Sequence, residues 1–365
     1  MISNVFFMNM RASFGENSFA KFNKLLKKLN IECPENALTA IKLHFGEMGN
    51  LAFIHPIWVR ELVGYIKKSG GNPFLTDTNT LYAGSRVNAV THIQTALNNG
   101  FTYACVQAPI IIADGLRGEA SVEVVINKKH FKSVTVAQIV QEADVLISLA
   151  HFKGHGLTGF GGSLKNVGMG LADRKGKFKM HCDAIPLVQK KGCSQCLVCV
   201  NNCSGSAITI VNKMPKIDVA KCLGCGQCIV MCPNKVFGID WTGVSPAIVQ
   251  ERMVEFACGS LLGKKAYFLN FIMNVTPDCD CCPHSDANII PDVGILASLD
   301  PVAIDQASLD LVNQQMGIPN TALKSNFQPG EDKLQGIDPK LSAEVQLDYA
   351  QELGLGSRKY ELEEM

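Results

Sequence analysis

Eight cysteines between Cys193 and Cys232 are the residues of this chain best placed to do chemistry. Cys193, Cys196, Cys199 and Cys203 follow the spacing C-x2-C-x2-C-x3-C, and Cys222, Cys225, Cys228 and Cys232 repeat it at a constant offset of 29 residues. The segment is an internal duplication. Within each half, three closely spaced thiolates can wrap three irons of a cubane cluster. Zinc is the competing occupant, but tetrahedral zinc takes its ligands from two separated C-x2-C pairs, and a single tight run of cysteines suits it poorly. Gly224 and Gly226 fit a tight backbone whose N–H groups point at cluster sulfurs.

A second dense ligand group is Cys279-Asp280-Cys281-Cys282-Pro283-His284. Thiolates two residues apart can bind zinc or iron, with His181 or Cys182 as a further donor, so Cys279, Cys281 and His181 form a candidate third metal site. The alternative is a set of reduced thiols packed at a strand end. Cys33, Cys105 and Cys258 stand alone among apolar neighbours and read as core residues.

Three polar clusters each follow an apolar, strand-like run. His44 and Glu47 come after residues 38–43, Asp77 after 74–76, and His151, Lys153 and His155 after 145–149. Ligands bind beyond the carboxyl ends of strands in open α/β sheets, so three such ends point to one shared crevice. The glycine-rich stretch 159–166 reads as an anion or substrate cradle, its backbone N–H groups assisted by Lys165 and Asn166. It has neither the P-loop nor the dinucleotide spacing, and ATP or NAD binding does not follow from it. Asp300, before Pro301, reads as a helix N-cap, and Asp305 as a further site candidate.

Positioning these groups requires alternating strands and helices. Apolar runs at 5–8, 38–43, 74–76, 110–113, 122–126, 145–149, 266–271 and 293–296 read as strands. Residues 17–29 place Phe19, Phe22, Leu25, Leu26 and Leu29 on one helical face. Helices are also expected at 56–68, 86–98, 136–142, 246–257 and 302–315. This alternation predicts an α/β body built on a mainly parallel sheet. The body spans 1–184 and 243–330, interrupted by the cysteine-rich segment 185–242. A peripheral helix near 342–352 and an acidic tail are expected within 331–365.

Of the 365 residues, 47% are hydrophobic and 18% charged, which is ample for a buried core. The net charge, 34 − 33 = +1, gives no global field for nucleic acid or an anionic membrane. One local excess runs from Lys153 to Lys191: Lys153, Lys165, Arg174, Lys175, Lys177, Lys179, Lys190 and Lys191 face only Asp173 and Asp183. It is either a solvated face or a surface that balances anionic clusters or an anionic substrate. The first ten residues read as a strand and not a signal peptide, and no apolar run is long enough to span a bilayer. With 15 cysteines and no secretion signal, a reducing cytoplasmic setting is expected.

The duplicated cysteines resemble those of bacterial two-cluster ferredoxins, including Pro233 after Cys232, although Ser204 replaces the corresponding proline after Cys203. That resemblance implies two [4Fe–4S] clusters in an inserted ferredoxin-like α+β module. Cys193, Cys196, Cys199 and Cys232 would hold one, and Cys222, Cys225, Cys228 and Cys203 the other. Across most of its length the chain also resembles the domain-of-unknown-function-362 family. The resemblance rests on KLHFGE at 42–47, DTNTLYAG at 77–84, the glycine-rich run 151–170, the MH pair at 180–181, CDC at 279–281 and DVGILASLDPVAIDQASLDLV at 292–312. It implies an α/β body around a central polar site formed by His44, Glu47, Asp77, His151, Lys153, His155, Lys165, Asn166, His181, Cys279 and Cys281.

Together these readings predict electron transfer through the clusters. Electrons would pass from a ferredoxin or flavoprotein partner to a small anionic substrate, with histidines as general acids and Lys153 or Lys165 holding a carboxylate or phosphate. A ferredoxin-dependent oxidoreductase is one outcome. A non-enzymatic carrier, or a metal-cofactor assembly or docking protein, is the alternative. The histidine-glycine segment ending in Lys-Asn also bears a faint similarity to nickel-pincer racemases, which would make the body a metal-cofactor site.

Overall fold

A strand covered on both faces must be apolar along its whole length. Val145–His151 is buried at every position and forms the middle of an eight-stranded sheet. The computed structural model describes residues 2–182, 185–188, 192–240, 243–340 and 342–365. In spatial order the strands are Tyr360–Glu364, Ser3–Asn9, Gly294–Ser298, Lys265–Ile272, Val145–His151, Leu38–Lys42, Asn72–Asp77 and Ile110–Ile112. Five of the seven pairings are parallel. Gly294–Ser298 runs antiparallel to both of its neighbours. The architecture is mixed α/β with a mostly parallel central sheet.

Alternate strand residues feed two cores, one on each face. Ile41, Leu75, Ile147, Leu269 and Ile295 pack against helices Ser18–Leu29 and Pro56–Lys68. Ala40, Phe74, Leu146, Phe268 and Leu296 face the other side, where Pro246–Leu261 and Pro301–Asn313 pack. Asn17, Asn88, Ser245 and Asp300 cap helices as short polar side chains do, by accepting backbone N–H groups of the first turn.

Two local expectations are corrected. Residues 136–142 are not one helix: Ser133–Ala137 is a strand paired with Ser121–Val125, and only Gln138–Glu142 is helical. The β-branched Val134, Thr135 and Val136 favour the extended form. The acidic tail is not merely peripheral either. Its Tyr360–Glu364 strand pairs in parallel with Ser3–Asn9 and closes one sheet edge with glutamates, while helix Glu344–Glu352 buries Leu347 and Ala350.

The cysteine-rich segment packs Ile208, Ile229, Val236, Phe237 and Ile239 into a small hydrophobic cluster that it shares with Leu81 and Phe178 of the body. Its hairpin is Ile208–Val211 with Met214–Ile217, and its short helices are Val198–Asn201 and Gln227–Met231. Lys190, Lys191 and Asp183 of the basic run, and positions 184 and 242 of the expected boundaries, lie outside the described residues. Among the described residues no helix is long and apolar enough to cross a membrane.

Candidate functional site

Strands Val145–His151, Leu38–Lys42 and Asn72–Asp77 are parallel neighbours, so their carboxyl ends come out side by side. A cavity of about 200 Å³ opens there. His44, Asp77, His151, Lys153, His155, Lys165, Asn166, His181, Cys279 and Cys281 all line it. Of the residues that the family resemblance places at the site, Glu47 alone does not reach the wall.

Glu47 instead sits behind it as a buried brace. Its carboxylate accepts from Tyr82 Oη at 3.1 Å and Arg86 Nε at 3.2 Å, and from both the backbone and the hydroxyl of Ser85. Arg86 extends this brace to Asp77 Oδ2 at 3.2 Å, and Lys42 Nζ reaches Asp77 Oδ1 at 3.0 Å. Burial alone would raise the Asp77 carboxyl, but Lys42 and His92 outweigh it and hold the group well below the usual carboxylate range. Asn166 is a clip between strands. Its amide donates to Ser148 Oγ and to the carbonyls of Lys42 and Leu149, and its Oδ1 accepts from Lys42 Nζ.

On the opposite wall His151 lies between Asp280 Oδ1, 2.7 Å from Nδ1, and the Met273 carbonyl, 2.8 Å from Nε2. Both ring nitrogens face acceptors, so this imidazole orients the 279–281 turn. Lys153 Nζ pairs with Asp280 Oδ2 at 3.2 Å and donates to the His151 carbonyl at 2.8 Å. His44 and His155 are different. Each uses Nδ1 to accept local backbone N–H groups, from Gly46 in one case and from Leu157 and Thr158 in the other. Burial, then the Arg86 charge at His44 and the Lys165 and Lys153 charges at His155, keep both rings well below the usual imidazole range and neutral at pH 7. His181 is lowered to about 4 by burial and Lys165.

Among the described residues five cations line the cavity: Lys42, Arg86, Lys153, Lys165 and Lys177. The inner part of the basic run is therefore no solvated face, since Lys153, Arg174 and Lys177 are buried. Burial lowers Lys177 to about 8, and its ammonium is held by Thr78 Oγ1 and the Asn79 carbonyl. Lys165 Nζ is 3.4 Å from Cys279 Sγ. Leu81, Tyr82, Leu157 and Met169 supply the apolar wall.

Two amides of the glycine-rich stretch are not available to an anion. The first amides of helix Ser163–Gly168, those of Ser163 and Leu164, donate to Asp305 at 2.7 and 2.8 Å. Asp305 is consequently a buried cap and not a residue of the cavity wall. The glycines instead allow close approach: a Cβ at Gly162 would lie 2.4 Å from Asp305 Oδ1. The expected third donor of the 279–281 group also changes. His155, Cys279 and Cys281 bring one ligand atom each within 4.8 Å of one another, and His181 is not in that group.

The duplicated cysteines gather into two small cavities. Cys193, Cys196, Cys199 and Cys232 line one, and Cys203, Cys222, Cys225 and Cys228 the other. The duplication extends to the backbone. Gln195 and Leu197 have φ of 55° and 61°, and their counterparts Gly224 and Gly226 have 64° and 68°. Ala207 N donates to Cys203 Sγ at 3.2 Å, and Val236 N to Cys232 Sγ at 3.3 Å. A left-handed φ at glutamine and leucine is strained, and a fold keeps such strain where a loop must wrap something. Burial, with Cys225, Cys222 and Cys203, pushes the Cys228 thiol far up, so four thiolates in this space require a cation among them.

Sequence reasoning missed Lys42, Arg86, Tyr82 and Lys177 as members of the site. Lys42 had a usable signal: a lysine closing an otherwise apolar strand is buried unless it turns outward. Lys177 had one too, as a member of the basic run from Lys153 to Lys191, whereas Arg86 had none and reaches the site only through tertiary packing.

A family model described as "Domain of unknown function (DUF362)" matches residues 39–310. The chain belongs to that family. A curated relative, one component of the ion-translocating oxidoreductase complex of Methanosarcina acetivorans, is 35% identical over 51 residues, which are 14% of this chain and 19% of that protein. Two solved structures are also similar at low identity. One is a structural-genomics crystal structure of a Thermotoga maritima protein, with TM-score 0.41 and 10% identity over 94% of this chain and 60% of that one. The other is the lactate racemase apoprotein of Thermoanaerobacterium thermosaccharolyticum, with TM-score 0.37 and 14% identity over 74% of this chain and 51% of that one. This DUF362 chain thus spans less than two thirds of each of these proteins.

Proposed function

We propose that this chain is an iron–sulfur redox protein whose 185–242 module holds two [4Fe–4S] clusters, serving a reaction on a small anion in the cationic cavity. The observation that carries the reading is the exchange of the fourth cysteine. Each half of the duplication contributes three thiols to its own cavity and one to the other, as two-cluster ferredoxins require. Cubanes bound there would supply electrons one at a time.

The chain's own residues give the electrons a direction. Cys196 is exposed, so the Cys193/Cys196/Cys199/Cys232 end faces an incoming ferredoxin or flavoprotein. The Cys222/Cys225/Cys228/Cys203 end abuts the body. A Cβ at Gly226 would lie 2.8 Å from Leu81 Cδ1, and Leu81 also lines the cavity. Arg174 ties the two parts together, donating to Gln227 Oε1 at 2.7 Å and to the Thr80 carbonyl at 3.1 Å. At the cavity the cations attract a carboxylate or phosphate, and His44 carries its proton on Nε2 as a hydrogen-bond donor. A simple carrier has no use for so many buried cations around an enclosed space.

Anaerobic reconstitution tests the reading. The full chain should take up about eight irons and as many sulfides, and dithionite should produce cluster EPR signals. Replacing Cys203 with Ser should alter the cluster held by Cys222, Cys225 and Cys228. Substitutions His44→Gln and Lys153→Met should leave these spectra intact and abolish reoxidation by an anionic substrate. A chain that refuses iron and sulfide ends the proposal.

A further inference from the structure

We propose that His155, Cys279 and Cys281 form a third metal site, separate from the duplicated cysteines, which holds a borderline-soft divalent cation such as zinc with one coordination position open to the cavity. This site goes beyond the cluster reading and does not depend on it.

The donor set is assembled from two segments far apart in the chain. The 153–155 strand pairs with 159–161 in a tight hairpin, and the Gly154 amide donates to the Thr276 carbonyl at 2.9 Å. That contact presses the hairpin against the turn carrying Cys279 and Cys281. The three ligand atoms then lie within 4.8 Å of one another. Around tetrahedral zinc, sulfur and nitrogen donors sit roughly 3.5–3.8 Å apart, so only a small contraction separates this arrangement from a bound ion. Cys279 is buried, and both thiols and His155 line the cavity wall.

Charge agrees with a cation. Two thiolates and a neutral imidazole balance a divalent ion, whereas two buried thiolates without one repel. Lys165 Nζ lies 3.4 Å from Cys279 Sγ, within reach of that sulfur once a bound cation has made it a thiolate. In the metal-free chain His155 accepts the Leu157 and Thr158 amides on Nδ1, so its neutral ring carries the proton on Nε2. Ligation through Nε2 by a neutral imidazole moves that proton to Nδ1, and the Leu157 and Thr158 amides turn away from the ring when the cation binds. Two cysteines and one histidine, with the fourth position facing a cavity, form the ligand set of a catalytic and not a structural zinc site. That open position would take a carboxylate or carbonyl oxygen of the anion held by Lys153 and Lys165.

The test uses Zn²⁺ alone on the full, anaerobically prepared chain. Zinc analysis should give one tightly held ion, and zinc-edge X-ray absorption should give a shell of two sulfurs and one nitrogen, with cluster iron unchanged. The Cys279→Ser/Cys281→Ser double variant should weaken zinc binding by more than about 100-fold. His155→Gln should keep the sulfur shell and lose the nitrogen. Cys282→Ser and His181→Ala should change neither. Unchanged zinc in the double variant overturns the site, as does a wild-type chain that binds no zinc while Cys279 and Cys281 oxidise readily to a disulfide. Failure of the clusters would appear as lost iron and sulfide, a separate readout.

Discussion

Replacing Gly154 with alanine should pull the candidate site apart at one identifiable seam. A Cβ at position 154 would lie 2.2 Å from the Pro277 carbonyl oxygen, against 3.4 Å for an ordinary contact. The obstacle is backbone, so no side chain can swing aside. Relief requires the two segments to separate by about 1.2 Å, the difference of these values. That opens the 2.9 Å hydrogen bond from Gly154 N to the Thr276 carbonyl and lengthens the 3.2 Å Lys153–Asp280 pair. Overpacking of this kind costs roughly 1–3 kcal/mol and a lost hydrogen bond about 1 kcal/mol more, so a loss of about 2–4 kcal/mol is expected. Urea unfolding followed by far-UV circular dichroism measures it. Gly156→Ala is the control: nothing lies within 4 Å of its Cβ, and its stability should stay within about 0.5 kcal/mol of wild type. If Gly154→Ala unfolds within about 0.5 kcal/mol of wild type, the close approach does not hold His155 against the 279–281 turn.

Asp77→Ala should destabilise the chain by about 3–5 kcal/mol in the same assay, because it leaves Lys42 a buried charge without a carboxylate and Arg86 with Glu47 alone. A loss below about 1 kcal/mol would mean that Glu47 and the Asn166 hydrogen bond suffice to hold them. Acid should act through His92, which burial holds at about 4 against an ordinary 6.5. Its folded-state value is depressed, so its contribution is complete above pH 6.5 and is lost as pH falls toward 4. The distance from 6.5 to about 4 corresponds to at most about 3 kcal/mol. The difference in unfolding free energy between about pH 7 and about pH 4.5 should shrink in His92→Gln; an unchanged acid limb would place the titration elsewhere.

Local patterns made a good part of this molecule legible in the sequence. The 29-residue cysteine repeat is covalent spacing, and spacing survives any fold; the resemblance to two-cluster ferredoxins implied the three-plus-one grouping of thiols that the two cavities have. Strand ends were equally readable, because an apolar run followed by His44, by Asp77 or by His151 marks where a strand leaves the core. Parallel pairing then had to bring those ends together.

Partnerships between distant segments were not legible. The glycine-rich run looked like an anion cradle until Asp305, more than a hundred residues away, proved to hold two of its amides. Glu47 looked like a cavity residue, and Arg86 on another element drew it behind the wall. His155 and not His181 joined the cysteine pair, because the Gly154 contact with the 276–277 backbone set which imidazole approached. A sequence determines which groups are available and how neighbouring ones are spaced. Which of them meet depends on close packing between segments that share no local pattern, where an atom more or less at one glycine redirects a side chain.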